Sequence, residues 1–231
     1  MNYQEYKTRE EERRAVAIAH LENGVEFVDI HTAYIDASVV IGSGTIIGPC
    51  VTLEGDTVIG KDCRILQNTR IKDAQIADGV EIQSSVVLES TVGRNSKVGP
   101  FAYLRPKSRI GENCKVGDFV EVKNSSFGDG SKASHLTYIG DSDVGRDVNI
   151  GCGVVFVNYD GTNKHRSTIG DGAFIGCNTN LVSPVKVEDG AYIAAGSTVT
   201  EDVPEDALCI ARARQRNIEG WASKKGLYNK K

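Results

Sequence analysis

Ile35-Asp36-Ala37-Ser38-Val39-Val40-Ile41-Gly42-Ser43-Gly44-Thr45-Ile46-Ile47-Gly48-Pro49-Cys50-Val51-Thr52-Leu53 places a large branched or leucine side chain at every sixth position. The spacing continues through Ile59, Ile65 and Ile71. It returns at Val98, Leu104, Ile110, Val116 and Val122, and again at Ile169, Ile175, Leu181, Val187, Ile193 and Val199. Such a period fits neither an α-helix nor a lone half-buried strand. It is the period of a hexapeptide β-helix, so the chain reads as a repeat before it reads as anything else.

Each unit is roughly Ile-Gly-x-x-small-x. The branched residue favours extended backbone and fills the coil interior. The adjoining glycine allows a corner and close backbone approach. The fifth position is short (Val39, Thr45, Val51, Thr57, Cys63; later Ala173, Thr179, Val185, Ala191, Ser197), so it also points inward where coils stack. The expected fold is all-β, a parallel β-helix. Three hexapeptides close one triangular coil, and residues 35–203 then give roughly nine coils at about 4.8 Å each, a prism about 45 Å tall. Hexapeptide proteins resemble one another in winding left-handed, against the usual crossover rule; that handedness comes from the resemblance, not from the spacing. Residues 1–34 read as an N-terminal helix and entry segment, with a helix over 3–23 stopped at Gly24. Residues 204–231 read as a C-terminal tail.

The register shortens between Leu88 and Val92, between Val122 and Phe127, and between Ile139 and Val144. A longer break separates Phe156 from Ile169 and contains Asn158-Tyr159-Asp160-Gly161-Thr162-Asn163-Lys164. Loops inserted in a solenoid gather on one face, often the binding face.

The 231 residues carry a formal charge of −4, and only 6% are aromatic, which suits a narrow interior built from valine and isoleucine. No apolar run is long enough to span a membrane. Met1–Glu5 is too polar for a secretory signal, so a cytoplasmic protein is expected. The six cysteines show no Cys-x-x-Cys spacing. They read as small interior residues of a reducing compartment, in preference to disulfides or metal ligands. From Ile210 onward seven basic residues face one acid, a local +6 that leaves −10 for the rest. Trp221 and Tyr228 give slight aromatic interleaving, so a polyanionic small ligand is a better match for this tail than nucleic acid.

His135 lies inside the repeat among polar residues. Coil stacking at 18 residues sets Arg105 over Lys123, and a polar strip of Arg105, Lys123, Tyr138 and Asn149 follows if the register holds. The alternative is an ordinary solvated prism face. Arginine and lysine grip phosphate, histidine takes a proton near neutral pH, and asparagine orients a nucleophile or stabilises an oxyanion. No Ser-His-Asp or Cys-His arrangement points to a covalent intermediate.

Gly99-Pro100-Phe101-Ala102-Tyr103-Leu104-Arg105-Pro106, Val116-Gly117-Asp118-Phe119-Val120-Glu121-Val122-Lys123, Gly130 to Asp141, Val148-Asn149-Ile150-Gly151 and Asn158 to Lys164 together resemble the acetyltransferase half of the bifunctional N-acetylglucosamine-1-phosphate uridyltransferase/glucosamine-1-phosphate acetyltransferase family. The resemblance runs from about Asn23 to Trp221. It implies acetyl transfer from acetyl-CoA to the amine of glucosamine 1-phosphate, with no metal required. His135 is then the general base, with Asn158 aiding it. Arg105, Lys123, Tyr138, Asn149 and Lys164 hold the sugar phosphate. Cys152, Asn158, Tyr159, Cys177, Ala195 and Arg212 contact the coenzyme. A homotrimer with a shared cleft is implied, feeding nucleotide-sugar and cell-wall synthesis. Ser134, Cys152 and Cys177 stand where the family commonly has Gly, Ala and Ser. No Leu-x-Ala-Gly-x-Gly-Thr-type loop is present, so uridyl transfer is not expected from this chain. The rival readings are an acyltransferase for another phosphorylated sugar and a catalytically silent trimeric scaffold. A metal-dependent carbonic anhydrase on the same prism needs three histidine ligands, and only His135 and His165 lie well inside the repeat.

Overall fold

The computed structural model describes residues 1–227; Tyr228, Lys230 and Lys231 of the basic tail lie outside the described residues. Short parallel strands form three sheets, and each sheet is one face of a left-handed triangular prism. Face one has 11 strands, from Glu26–Phe27 to Leu208–Cys209. Face two has 10, from Tyr34–Ile35 to Thr198–Val199, and face three has 9, from Val40–Ile41 to Lys186–Val187. The ladder therefore extends beyond the 35–203 interval that the period marks. Glu26–Phe27 pairs with Ile46–Ile47, and Leu208–Cys209 pairs with Tyr192–Ile193.

The six-residue period works because the chain turns a corner after each unit. In most of the short strands the second residue points inward, and Ile47, Leu53, Ile65 and Ile71 are fully buried. The short fifth position is inward too: Val51, Thr45, Thr57 and Cys63 are buried. Its polar members are satisfied along the stack. Thr45 Oγ1 donates to the Gly60 carbonyl at 2.9 Å and accepts from the Cys63 amide at 3.0 Å. No buried side-chain nitrogen or oxygen among the described residues lacks a partner, as a dry, narrow interior requires. Gly42 shows why glycine follows the branched residue: a Cβ there would stand 2.6 Å from the Gly60 backbone of the next coil.

The register differs from the sequence reading between Ile71 and Val92. Val87, not Leu88, is the inward residue of the strand Val86–Leu88; Val87 is fully buried and Leu88 only partly. Three apolar residues in a row hide the alternation there, and the shortening already begins at Ile71–Ile76. Five-residue units run from Ile71 to Ile76, from Ile82 to Val87 and from Val87 to Val92. Val87→Ala should therefore cost about 2 kcal/mol, and Leu88→Ala under about 1 kcal/mol, in denaturant unfolding.

The N-terminal helix spans Tyr3–Glu22 and is capped by Asn2, whose side chain accepts from the Glu5 amide while Glu5 returns a bond to the Asn2 amide at 2.9 Å. Gly24, at φ +85°, turns the chain into the first coil. Ala17 is buried, Arg13 donates to the Ala33 carbonyl at 2.7 Å and its guanidinium lies 4.8 Å from the Tyr34 ring centroid, so the helix closes the N-terminal end of the prism. No helix among the described residues is long and apolar enough to cross a membrane.

Candidate active site

The edge between faces one and two collects most of the residues singled out by the sequence. His135 ends the face-one strand Lys132–His135. Lys132 pairs with Asn149 and Ala133 with Ile150, which carries His135 opposite Cys152. Asn149 pairs with Phe174 and Ile150 with Ile175, which carries Cys152 opposite Cys177. The next pairing carries Cys177 opposite Ala195. Backbone bonds hold the column: the Asn178 amide donates to the Cys152 carbonyl and the Gly196 amide to the Cys177 carbonyl, both at 2.8 Å. Arg212 passes beside Gly196, its Cδ 3.8 Å from where a Cβ would stand. Residues spread over 78 positions of sequence (135–212) thus form one line of about 19 Å, four coil steps long. Small side chains follow the histidine and a cation ends the line.

On face two Tyr103 pairs with Glu121 and Leu104 with Val122, so Arg105 stacks on Lys123 as the 18-residue spacing requires. Lys123 pairs in turn with Gly140. Arg105 donates to Glu121 at 2.8 Å. Its guanidinium is held above the ordinary arginine range by that bond. Tyr138 heads the strand Tyr138–Gly140 and pairs with Glu121.

Two carboxylates that the sequence reading passed over organise this region. The Asp141 side chain is only 10% exposed. It accepts from Asn124 Nδ2 at 2.6 Å, from Asn158 Nδ2 at 2.5 Å and from Lys123 Nζ at 3.3 Å. Burial pushes its carboxyl up, but the bonds from Asn124 and Lys123 outweigh that and set it below the usual carboxylate range. Asn158 Nδ2 also lies 3.4 Å from Tyr138 Oη. Asp118 is the second carboxylate; its Oδ1 is 2.5 Å from His135 Nδ1. The coil length offers a signal for both. Asp141 is 17 residues beyond Asn124, across the same shortened coil that pairs Lys123 with Gly140. Asp118 is 17 before His135, one full coil minus the residue lost between Val122 and Phe127.

The insertion after Phe156 is a tight hairpin. Tyr159 and Lys164 form an antiparallel bridge, and the His165 amide donates to the Asn158 carbonyl at 2.8 Å. Asp160 accepts from the Thr162 and Asn163 amides and from His165, and its carboxyl is lowered to about 2, first by the Asn163 amide and then by His165. The turn carries Lys164 back to the Lys123 ammonium, which pushes Lys164 below the ordinary lysine range; Arg105 adds to the effect. Lys123, with Lys164 as its immediate neighbour and Asp141 as its counter-ion, is held above that range. Of these three cations Lys123 alone pairs with the buried acid; Lys164 adjoins Lys123, and Arg105 stacks on it one coil away. Arg105 leans on Glu121 besides, and a multiply charged anion would relieve the crowding of Lys164.

Asn149 is not brought into this cluster. It begins the strand Asn149–Ile150 on face one, between Lys132 and Phe174, and faces solvent. The expected four-residue strip therefore holds for Arg105, Lys123 and Tyr138. It fails at Asn149, because Asn149 belongs to the first strand of its coil and Tyr138 to the second. Among the described residues no group of three His, Cys, Asp or Glu side chains is placed to hold a metal ion.

Comparison with known proteins matches residues 29–105 to the family described as the GMPPB C-terminal domain, and residues 89–124 and 166–201 to the bacterial transferase hexapeptide (six repeats). The chain is similar to the "Bifunctional protein GlmU" of Clostridium beijerinckii, 57% identical over 93% of this chain and 47% of that protein. It is 61% identical to that of Clostridium novyi over 90% of this chain and 46% of that one. For Clostridioides difficile the figures are 58%, 95% and 48%. The chain spans about half the length of the curated relatives it matches. Among solved structures, the UDP-N-acetylglucosamine acyltransferase of Francisella novicida superposes with a TM-score of 0.52 at 19% identity, over 85% of this chain and 73% of that one, a likeness of fold.

Proposed function

We propose that this chain, homologous to the proteins named bifunctional protein GlmU and carrying the bacterial transferase hexapeptide, transfers the acetyl group of acetyl-CoA to the amine of glucosamine 1-phosphate. The observation that carries the acceptor is the stacking of Arg105 on Lys123, whose ammonium is paired with the buried Asp141 and has Lys164 as its neighbour. A sugar phosphate supplies an anion for these cations. His135 stands at the neighbouring corner of the same coil as Tyr138, with Nδ1 engaged by Asp118 and Nε2 left to accept a proton.

Acetyl-CoA supplies the acetyl group as a thioester. The column of Cys152, Cys177 and Ala195 presents small side chains along which an extended chain can lie, and Arg212 at its end matches a coenzyme phosphate. In the proposed reaction the amine forms a bond to the carbonyl carbon, His135 takes the amine proton, the carbon–sulfur bond breaks, and the departing thiolate receives that proton from His135 and leaves as the coenzyme thiol. Asn158, fixed by Asp141 and adjoining Tyr138, offers its amide where charge develops on the carbonyl oxygen. Tyr159, next in the chain, projects into solvent from the same turn.

Asn149 stands on face one and the cations stand on face two. Three prisms side by side, with face one of one copy against face two of the next, give both a common cleft. Phe101, Phe119 and Leu136, 57–58% exposed, are apolar surface that such a contact buries. We read the protein as a cytoplasmic homotrimer; its six free cysteines fit a reducing compartment. Its product would enter nucleotide-sugar and cell-wall synthesis.

The test is thiol release from acetyl-CoA with and without glucosamine 1-phosphate. Release that does not depend on the acceptor contradicts the reading. Lys164→Ala should raise KM for glucosamine 1-phosphate roughly 10-fold, the size of one charge-assisted contact. Unphosphorylated glucosamine, a poor acceptor for both proteins, should be used equally by the variant and the parent.

A further inference from the structure

We propose that Asp118 is the positioning residue for His135, its carboxylate accepting the Nδ1–H and thereby leaving Nε2 as the proton acceptor. What the base does rests on the acetyl-transfer reading; the pair itself rests on geometry.

Face one is built of two-residue strands except in two adjacent coils. Lys115–Asp118 and Lys132–His135 each run four residues, and the added stretch ends with Asp118 and His135 directly paired. Gly117 makes the extension possible. It is buried, and a Cβ there would run into the Ser134 carbonyl, so only glycine lets the two strands stay this close one residue before the pair. Both chains then turn at once, Phe119 at φ +55° and Leu136 at φ +46°. Phe101, one coil before Phe119, takes the same corner conformation at φ +59°. The Leu136 amide donates to the Asp118 carbonyl at 2.9 Å, so the main chain of the carboxylate is tied to the turn that follows the histidine. Among the described residues, Asp118 makes its one ion pair with His135, and His135 its one with Asp118. Lys115 is the other charge acting on Asp118.

A neutral imidazole carries one N–H, and the partner of one ring nitrogen decides what the other can do. A carboxylate can only accept, so it holds the N–H on Nδ1. An asparagine amide can donate instead, which allows the N–H to move to Nε2 and removes the base. The carboxylate also steadies the imidazolium that forms when the proton arrives.

Isotope-edited NMR of the histidine ring nitrogens in the full chain reads the pair directly. His135 should carry its proton on Nδ1, and Asp118→Asn should move it toward Nε2. In kinetics Asp118→Asn should lower kcat by about 10²- to 10⁴-fold, the range from loss of a general base to a histidine held in the wrong tautomer, with KM for glucosamine 1-phosphate unchanged. Asp118→Glu, which keeps an acceptor, should recover part of the loss. An Nε2–H tautomer in the parent protein overturns the proposal, and so does an Asp118→Asn variant with unaltered tautomer and kcat. A parent protein with the Nδ1–H tautomer and no transfer to glucosamine 1-phosphate leaves the pair standing and overturns the acetyl-transfer reading alone.

Discussion

Replacing His135 with alanine is expected to lower kcat for acetyl transfer by about 10²–10⁴-fold, the usual contribution of a general base. The loss should appear in kcat because the ring contributes to neither binding region. The cations proposed to hold the acceptor lie on face two, with Lys123 paired to Asp141, and the small residues proposed to line the coenzyme lie on later coils. Stability should scarcely change: the His135 side chain is 55% exposed and its bond is to a carboxylate that water can solvate in its place. The variant should therefore melt with the parent while turning over far more slowly. Steady-state kinetics beside a thermal melt separates this outcome from simple misfolding. A kcat within a few-fold of the parent sinks the base assignment.

Replacing Asp141 with alanine should do the opposite, weakening fold and site together. Asp141 is the shared acceptor of Lys123, Asn124 and Asn158, and the Lys123 side chain is only 18% exposed. Deleting the acid strands a mostly buried ammonium beside Lys164, and breaking such a pair costs about 3 kcal/mol, the low end for a buried pair. For a chain of this size that lowers Tm by roughly 5–10 °C. Because the folded Asp141 carboxyl lies below its unfolded value of about 3.9, its contribution is fully present above that pH and fades as pH falls through the folded value. The gap between parent and variant should accordingly be widest near neutrality and close below about pH 4. Turnover should fall as well, since Asn158 loses the bond that fixes its amide. Melting curves taken at neutral and acid pH check the sign; a gap that widens on acidification contradicts it.

The shape of the molecule was legible because one physical rule repeats. A branched residue at every sixth position can be buried in only one simple way, and Ile41, Ile47 and Leu53 sit where that rule puts them. The reading failed where composition masked alternation, as at Val86-Val87-Leu88, and at the ends, where strands such as Glu26–Phe27 lack the full hexapeptide consensus. The site was legible as far as the coil length served as a ruler. That ruler placed Arg105 over Lys123. It misplaced Asn149, because a residue's face depends on which third of a coil it occupies and not only on its distance in sequence. Asp118 and Asp141 were hidden for a different reason. Each is one acid among many on a charged surface, and each becomes informative only when the shortened coils are counted and its partner is found one turn away. The column of His135, Cys152, Cys177 and Ala195 is the clearest gain. Named from a resemblance as separate points, they share a single register position on successive coils.

The central claim is that an amine on a phosphorylated sugar receives the acetyl group. Its most direct test is NMR of the acceptor after incubation with acetyl-CoA isotope-labelled at the acetyl carbonyl. The account predicts that the label appears as an amide carbon bonded to the sugar nitrogen of glucosamine 1-phosphate, and that it does so far more slowly with the His135→Ala variant. Label found in an ester, or remaining in acetyl-CoA when the parent protein and glucosamine 1-phosphate are both present, would contradict it.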